Sequence, residues 1–220
     1  MKMTAFAALT AVGLSAASAQ ASSFAIDYQV AGDPFGSVNL FAPVTIDSEV
    51  YDGTFRAGQF NMTSEEMGNF HAFCVEITQA LGSGHTYENA PDLLDADVKN
   101  NVDRLFSSAY DLVTDSVTAA GFQVALWEIV EDTSTGFDLS SGNFSAVDAS
   151  LTGGSVVGTA QGFLDGLASA STGLFKLDYL GSATSQDLVT AQRAPTPVPL
   201  PAGGLLLLSV GLFLVRRNKR

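Results

Sequence analysis

The stretch "VTAAGFQVALWEIVED" (residues 117–132) combines a helical spacing with very few polar side chains. Its apolar residues cover almost the whole circumference of a helix, which is typical of a helix that is buried on all sides. Within residues 121–129, Gln123 is the only uncharged polar side chain, and it shares a helix face with Trp127. A buried Gln without partners costs about 1–3 kcal/mol. We therefore predict a central buried helix whose Gln123 makes a specific contact.

The segments on either side of this helix predict a mixed fold. An amphipathic helix follows Pro91, and a weaker, glycine-containing helix is predicted within residues 155–169. Apolar alternation or β-branched and aromatic residues indicate strands at 23–30, 37–46, 54–63, 70–79 and 173–181. The sequence thus predicts one α+β domain over residues 22–190. It is strand-rich and mainly antiparallel, with two to three helices, one of them central and buried.

The charge distribution excludes one class of partner. The 220 residues include 10 Lys and Arg and 23 Asp and Glu. Half of the basic residues lie in the terminal segments, whereas every acidic residue lies between residues 22 and 194. This internal segment therefore has five basic residues and a formal charge of −18. Such a surface repels nucleic acid, so we expect no nucleic-acid partner.

The first 21 residues have the pattern of a secretory signal peptide. Lys2 provides the short positive region, residues 5–14 are apolar, and "ASAQA" (17–21) places small residues at the spacing of a cleavage site. We expect residues 1–21 to be removed and the remaining chain to be exported. Cys74 is the only cysteine, so an exported chain would carry a thiol without an internal disulfide partner.

The C-terminal segment predicts a membrane attachment. A Pro-rich linker at 191–197 leads into residues 202–215, which carry no charge. As a helix these 14 residues span roughly 21 Å, against a hydrocarbon core of about 30 Å, and counting from Val198 lengthens the segment to 18 residues. We predict a single membrane helix at 202–215. The positive-inside rule places the basic cluster that follows it in the cytoplasm: Arg216, Arg217, Lys219 and Arg220.

A short proline motif precedes this apolar segment: Val198, Pro199, Leu200, Pro201 and Ala202. The order of proline motif, apolar segment and basic cluster over residues 196–220 resembles the C-terminal sorting signals of the PEP-CTERM class, in the VPLPA-CTERM variant. The resemblance implies recognition by an exosortase-type membrane protease in a Gram-negative bacterium that makes extracellular polysaccharide. It also implies an inner-membrane intermediate and a final place at the cell surface or outside the cell. An ordinary tail anchor would explain the apolar segment and the charges but not the paired prolines.

A second resemblance concerns "FCVE" (73–76) and "FQVALW" (122–127). These segments are similar to the Cys and Gln motifs of thioester domains in bacterial surface adhesins, although Phe122 stands where that family usually has Thr. The resemblance implies that Cys74 supplies the sulfur and Gln123 the acyl carbon of an internal thioester. The alternative is a core Cys beside a core Gln that is hydrogen-bonded to the backbone, since free Cys is among the most buried residue types.

Other candidate sites have weaker patterns. Strand alternation would place Glu76 on the same face as Cys74, and Glu76 with Glu128 has the residue types of a glycosidase pair, but nothing in the sequence sets their separation. The two His residues have no further ligands at a zinc-like spacing. We expect no catalytic residue, no cofactor and no metal site.

These features predict an exported, surface-sorted and non-enzymatic protein of the cell envelope or extracellular matrix, processed at its C-terminal sorting signal. Its expected partners are the sorting protease, the membrane before processing and, as a candidate, extracellular polysaccharide. The alternative function is a covalent adhesin with a Cys74–Gln123 thioester, and a more distant alternative is a carbohydrate-active enzyme. Mutation of both residues would abolish covalent binding but not ordinary partner binding.

Overall fold

Eight strands and three helices form the part of the chain that the computed structural model describes, namely residues 23–28, 40–48, 51–132, 136–149 and 154–195. The strands are β1 (Ser23–Tyr28), β2 (Leu40–Ser48), β3 (Asp52–Ser64), β4 (Gly68–Cys74), β5 (His85–Asn89), β6 (Phe144–Asp148), β7 (Phe175–Gly181) and β8 (Leu188–Arg193). The helices are α1 (Ala96–Ala109), α2 (Ser116–Glu131) and α3 (Val156–Gly166). Short 3-10 helices, Tyr110–Leu112 and Leu167–Ser169, directly follow α1 and α3.

Six of the strands close into an antiparallel barrel. Its order is β1–β5–β7–β8–β4–β3, and the pairs Asp27–Thr63 and Tyr28–Met62 join β3 back to β1. Directly paired residues of antiparallel strands share a face. Following the pairs around the barrel places one set of side chains, each at most 2% exposed, on the inner face: Ile26, Met62, Ala72, Cys74, Tyr87, Leu180 and Leu188. The barrel interior is therefore filled by its own side chains.

Strand β3 connects this barrel to a second, smaller sheet. Its residues 60–64 pair with β4, whereas residues 52–59 pair with β2. Strand β6 pairs with the other edge of β2. The 13-residue length of β3 is what allows it to belong to both sheets.

Helix α2 packs against β2, β3, α1 and α3. It begins with a capping box, in which the Asp115 side chain accepts a hydrogen bond from the Thr118 N–H and the Thr118 side chain accepts one from the Asp115 N–H. Eleven of its sixteen residues are buried. The apolar surface on all sides of α2 is explained by sheet on one side and helices on the other.

The prediction of an α+β fold around a central helix is wrong, because six strands close on themselves. Closure requires β5 and β8, which were not predicted as strands. Only Tyr87 is buried in β5, so that strand has little apolar alternation. Strand β8 runs through Arg193, into the segment expected to be a linker at 191–197. Helix α2 is buried as expected, but it packs on β2 and β3 beside the barrel.

Within the described ranges, no helix has both the length and the apolar character needed to cross a membrane. The predicted signal peptide (1–21) and membrane helix (202–215) lie outside the described residues.

Candidate functional site

A gap in strand pairing opens where β3 and β4 separate. Their pairing ends at Phe60–Ala72, and β3 continues along β2 instead. If the β3–β4 register continued, Gly58 would lie opposite Cys74. Gly58 has a φ of +155°, outside the range that most residues with a side chain adopt. Phe73 and Cys74, the last two residues of β4, therefore pair with β8 alone.

The side chain of Gln123 in α2 occupies this gap. Its Oε1 accepts a hydrogen bond from the Cys74 N–H at 2.9 Å, and its Nε2 donates to the Cys74 carbonyl at 2.6 Å. Both side chains are fully buried. One acceptor and one donor are what the backbone of a neighbouring antiparallel strand would offer at this position. The carboxamide of Gln123 thus takes the place of a strand neighbour for Cys74.

The thiol of Cys74 points away from the helices. The preceding residue, Phe73, has ring contacts with Phe106, Tyr110 and Phe122, at centroid distances of 6.2, 6.2 and 4.6 Å. Phe73 therefore faces the helices, and alternation along β4 directs Cys74 into the barrel. Burial raises the pKa of this thiol far above its ordinary value, and the negative charge of Glu76 acts in the same direction. The thiol is therefore protonated at neutral pH.

The structure thus brings together Cys74 and Gln123, the pair predicted from the sequence, through the backbone of Cys74. Thioester formation would join the Cys74 sulfur to Cδ of Gln123 and release Nε2 as ammonia. That nitrogen is the donor to the Cys74 carbonyl. A thioester would consequently leave a buried carbonyl without this hydrogen bond, whereas the amide satisfies it. The geometry suits a non-covalent, structural contact, and the thioester stays a prediction.

Glu76 does not share a strand face with the thiol, because β4 ends at Cys74. The Glu76 carboxylate accepts hydrogen bonds from Thr78 Oγ1 at 2.6 Å, from Gln79 Nε2 at 2.9 Å and from the Asp187 N–H at 3.2 Å. These bonds fix the turn after β4 and tie it to the start of β8. Sequence alternation failed here because β4 ends at Cys74, five residues before the end of the strand predicted at 70–79.

Glu128 lies on α2 and has no exposed surface. Its Oε1 accepts a hydrogen bond from the Asp138 N–H at 2.9 Å, while Oε2 is buried and finds no hydrogen-bond partner in the described part of the chain. Burial raises its pKa to about 7, the bond from Asp138 opposes this shift, and the negative charges of Asp132 and Asp138 add to it. The neighbouring charges that raise the pKa of Glu128 are thus those of Asp132 and Asp138, and not that of Glu76. This arrangement does not resemble a glycosidase pair of Glu76 and Glu128.

One polar cleft was not predicted from the sequence. Arg104 of α1 and Asp165 of α3 line it. The only sequence signal was compositional, since Arg104 is one of five basic residues in a segment with a formal charge of −18. Among the described residues no cluster of His, Cys, Asp and Glu is suited to a metal ion.

The sorting motif Val198–Ala202 and the basic cluster at 216–220 lie outside the described residues. Comparison with protein-family models, curated proteins and solved structures finds no match for this chain.

Proposed function

We propose that this chain is an exported, non-enzymatic protein of the cell envelope or extracellular matrix that is sorted and processed through its C-terminal signal. The observation that carries the proposal is the order of proline motif (198–202), apolar segment (202–215) and basic cluster (216–220) in one tail. The apolar segment would hold the precursor in the inner membrane until an exosortase-type protease acts on the motif.

The end of the described fold supports this proposal. Arg193 of β8 donates two hydrogen bonds to the Asp111 carboxylate at 2.6 and 2.5 Å, and its guanidinium lies 4.9 Å from the Phe175 ring centroid. The Ala194 N–H donates to the Leu174 carbonyl at 3.0 Å. Val198 follows Arg193 by five residues, which span at most about 18 Å. The motif therefore comes directly after a strand that is held in place.

The prolines of the motif suit recognition as extended backbone. Pro199 and Pro201 disfavour a helix at themselves and at the residues before them. Changing both to Ala should leave a full-length precursor in the membrane fraction, whereas the wild-type chain matures to a shorter form. Immunoblots of membrane, surface and medium fractions measure this difference.

The matched control changes two prolines outside the motif, Pro195 and Pro197, to Ala. This variant should mature like the wild type. Equal size and equal release of the wild type and the Pro199 and Pro201 variant would reduce the tail to an ordinary anchor and refute the proposal.

The polar residues of the fold also support a non-enzymatic role. Glu76 and Glu128, the carboxylates considered as a glycosidase pair, accept hydrogen bonds from Thr78 Oγ1 and from the Asp138 N–H respectively. Neither lines the cleft that contains Arg104. Their contacts suit structural roles.

The covalent adhesin remains the second candidate, because Cys74 and Gln123 are in direct contact. If the thioester forms, the intact mass of the folded protein is lower by one ammonia, and methylamine adds to Gln123 and frees the thiol. Cys74→Ala and Gln123→Ala should each abolish both signs. A wild-type protein with its full sequence mass, and a thiol that reacts only after unfolding, would exclude this candidate.

A further inference from the structure

A cleft of about 560 Å³ opens between α1, α3 and the loop that follows α2. Its volume is in the range of small-molecule sites. Helix α1 contributes Asn101 and Arg104, and α3 contributes Asp165. The remaining lining residues are mostly apolar: Gly136, Phe137, Leu164, Leu167 and Ala168.

Arg104 has unused hydrogen-bonding capacity in this cleft. Three of the domain's other cations lie within 4 Å of an Asp carboxylate, but Arg104 is in no salt bridge with a described residue. Its Nη1 donates to the carbonyls of Leu167 and Ala168 at 3.4 and 3.3 Å, and its Nε is buried and has no hydrogen-bond partner among the described residues. A guanidinium has five N–H donors. Two long bonds to backbone carbonyls therefore orient Arg104 and leave the two N–H groups of Nη2 for a ligand.

The other polar groups of the cleft complement this donor. The Asp165 carboxylate accepts a hydrogen bond from Gln161 Nε2 at 2.9 Å, which fixes its orientation and leaves further lone pairs free. Asn101 offers both an amide donor and an amide acceptor. The Phe137 ring is only partly buried and provides an apolar face. Donors, acceptors and an aromatic face together match a ligand with several hydroxyl groups and an apolar ring face.

The charge of the cleft selects among such ligands. Arg104 and Asp165 are its two charged lining residues, so the lining is formally neutral. The surrounding segment has a formal charge of −18, and this field repels polyanions. An uncharged polar ligand avoids this repulsion and still uses both groups.

We propose that this cleft binds a neutral sugar unit of an extracellular polysaccharide. Sugar hydroxyls accept hydrogen bonds from Arg104 and Asn101 and donate to Asp165, while the C–H face of the ring packs on Phe137. The residues that line the cleft all belong to the described fold, so its geometry does not depend on the proposed function. Only the source of the sugar, a matrix outside the cell, rests on the proposed function.

The test uses the full-length protein in a detergent without a sugar headgroup, with amide NMR shifts as the readout. Neutral trisaccharides of glucose, mannose and galactose are titrated in turn, with trigalacturonate as the charged comparison. At least one neutral trisaccharide should shift the signals of Asn101, Arg104 and Asp165 and saturate in the millimolar range. Arg104→Met should weaken that binding at least tenfold.

Lys99→Met is the matched control, because Lys99 lies on the same helix but its Nζ is 3.9 Å from Asp92, outside the cleft. It should bind the sugar like the wild type. Arg104→Lys keeps the charge and the aliphatic stem but loses the planar fork, and it should also bind more weakly if direct hydrogen bonds matter. The titration of the wild-type protein tests the proposal by itself, even if Arg104→Met fails to fold.

Absence of shifts with every neutral trisaccharide, shifts confined to other regions, or binding of trigalacturonate alone would overturn the proposal. Maturation of the tail is measured separately by size. A sorting signal that fails its test therefore leaves the result for the cleft intact, and the converse also holds.

Discussion

Gln123 and Glu128 lie five residues apart on α2, and both side chains are fully buried. Gln123 makes two hydrogen bonds to the backbone of Cys74, at 2.9 and 2.6 Å. Glu128 uses Oε1 to accept one from the Asp138 N–H, while its Oε2 is buried and has no partner within the described ranges. Helix α2 therefore contains one buried polar side chain whose oxygen and nitrogen are both hydrogen-bonded, and a second in which only one of the two oxygens is.

The difference shows what makes a buried polar residue useful to a fold. The amide of Gln123 is uncharged, so its burial costs little once donor and acceptor are both satisfied. The carboxyl of Glu128 faces a larger desolvation cost when it ionises, and burial accordingly raises its pKa to about 7. Gln123 should therefore stabilise the fold at every pH, whereas Glu128 should stabilise it only while it is protonated.

The largest effect should come from removing the packing of α2 against β3, at a residue between Gln123 and Glu128. Trp127 is 3% exposed and its ring lies edge-on to Phe55 at 6.1 Å. Trp127→Ala should lower the free energy of unfolding by about 3–5 kcal/mol, because it empties a large aromatic site. Urea denaturation followed by circular dichroism measures this change, since the variant lacks the only Trp.

Tyr51→Ala is a suitable control, because Tyr51 contacts the same Phe55 ring at 4.7 Å but is 46% exposed. It should cost less than about 1 kcal/mol. If Trp127→Ala cost no more than this control, α2 would not depend on its packing against the sheet.

The next largest effect should come from Gln123→Leu, which keeps the bulk of the side chain but removes the carboxamide. Two buried backbone groups of Cys74 would lose their partners, at about 1–3 kcal/mol each. The apolar Leu side chain offsets part of this cost, so the expected loss is about 2–5 kcal/mol. Hydrogen exchange of the Cys74 amide should accelerate more than that of the neighbouring amides in β8.

Gln192→Leu is the control, because Gln192 is an exposed residue of β8. It should change stability by no more than about 0.5 kcal/mol. Unchanged protection of the Cys74 amide in Gln123→Leu would contradict the assignment of Gln123 as a substitute strand neighbour.

Helix α2 and strands such as β3 and β7 could be predicted from sequence because their signal is local. The apolar spacing at 117–132 and the alternation at 54–63 are visible within one window of residues. Closure of the barrel is not local. It depends on pairs such as Ala72–Thr190, and on β5, where Tyr87 is the one buried residue. Fold class was therefore the part of the architecture that sequence periodicity could not determine.

The candidate site shows the same division. A single amide on an apolar helix was enough to single out Gln123, and the lone cysteine singled out Cys74. That the amide contacts the backbone of Cys74 follows from the point where β3 leaves β4, which a single glycine, Gly58, is not enough to locate from the sequence. Arg104 has an ordinary helical position, and only the folding of α3 and its 3-10 helix against α1 makes it part of a cleft.

A smaller effect, of opposite sign, should follow from Glu128→Gln. A carboxyl whose pKa rises from 4.5 to about 7 on folding stabilises the fold below pH 4.5, and this stabilisation is lost as the pH rises through 7. The variant has no charge to bury. It should be more stable than the wild type above pH 7, by about 1–3 kcal/mol after allowance for solvent screening.

Urea denaturation across the pH range measures this change. The decline in wild-type stability between pH 4.5 and 7 should become shallower in Glu128→Gln. The control, Glu65→Gln at an exposed turn position, should keep the wild-type decline. A Glu128→Gln variant less stable than the wild type at pH 8 would show that ionised Glu128 stabilises the fold. The contrast drawn between Gln123 and Glu128 would then be wrong.

The smallest effect should arise at the other end of the same helix, where Asp115 caps α2. Its carboxylate accepts a hydrogen bond from the Thr118 N–H at 2.8 Å. This bond, followed by that from the Thr118 hydroxyl, lowers the pKa of Asp115 below 3.8. Its stabilisation is therefore present above pH 3.8 and is lost as the pH falls through the lowered value, the reverse of Glu128.

Asp115→Ala should cost about 1 kcal/mol at neutral pH. Asp115→Asn should keep most of the cap but show less acid dependence, because an amide accepts the same bond without titrating. Denaturation at about pH 3 and pH 6 measures both, and equal stability of the Ala and Asn variants at pH 6 would exclude a capping role for Asp115.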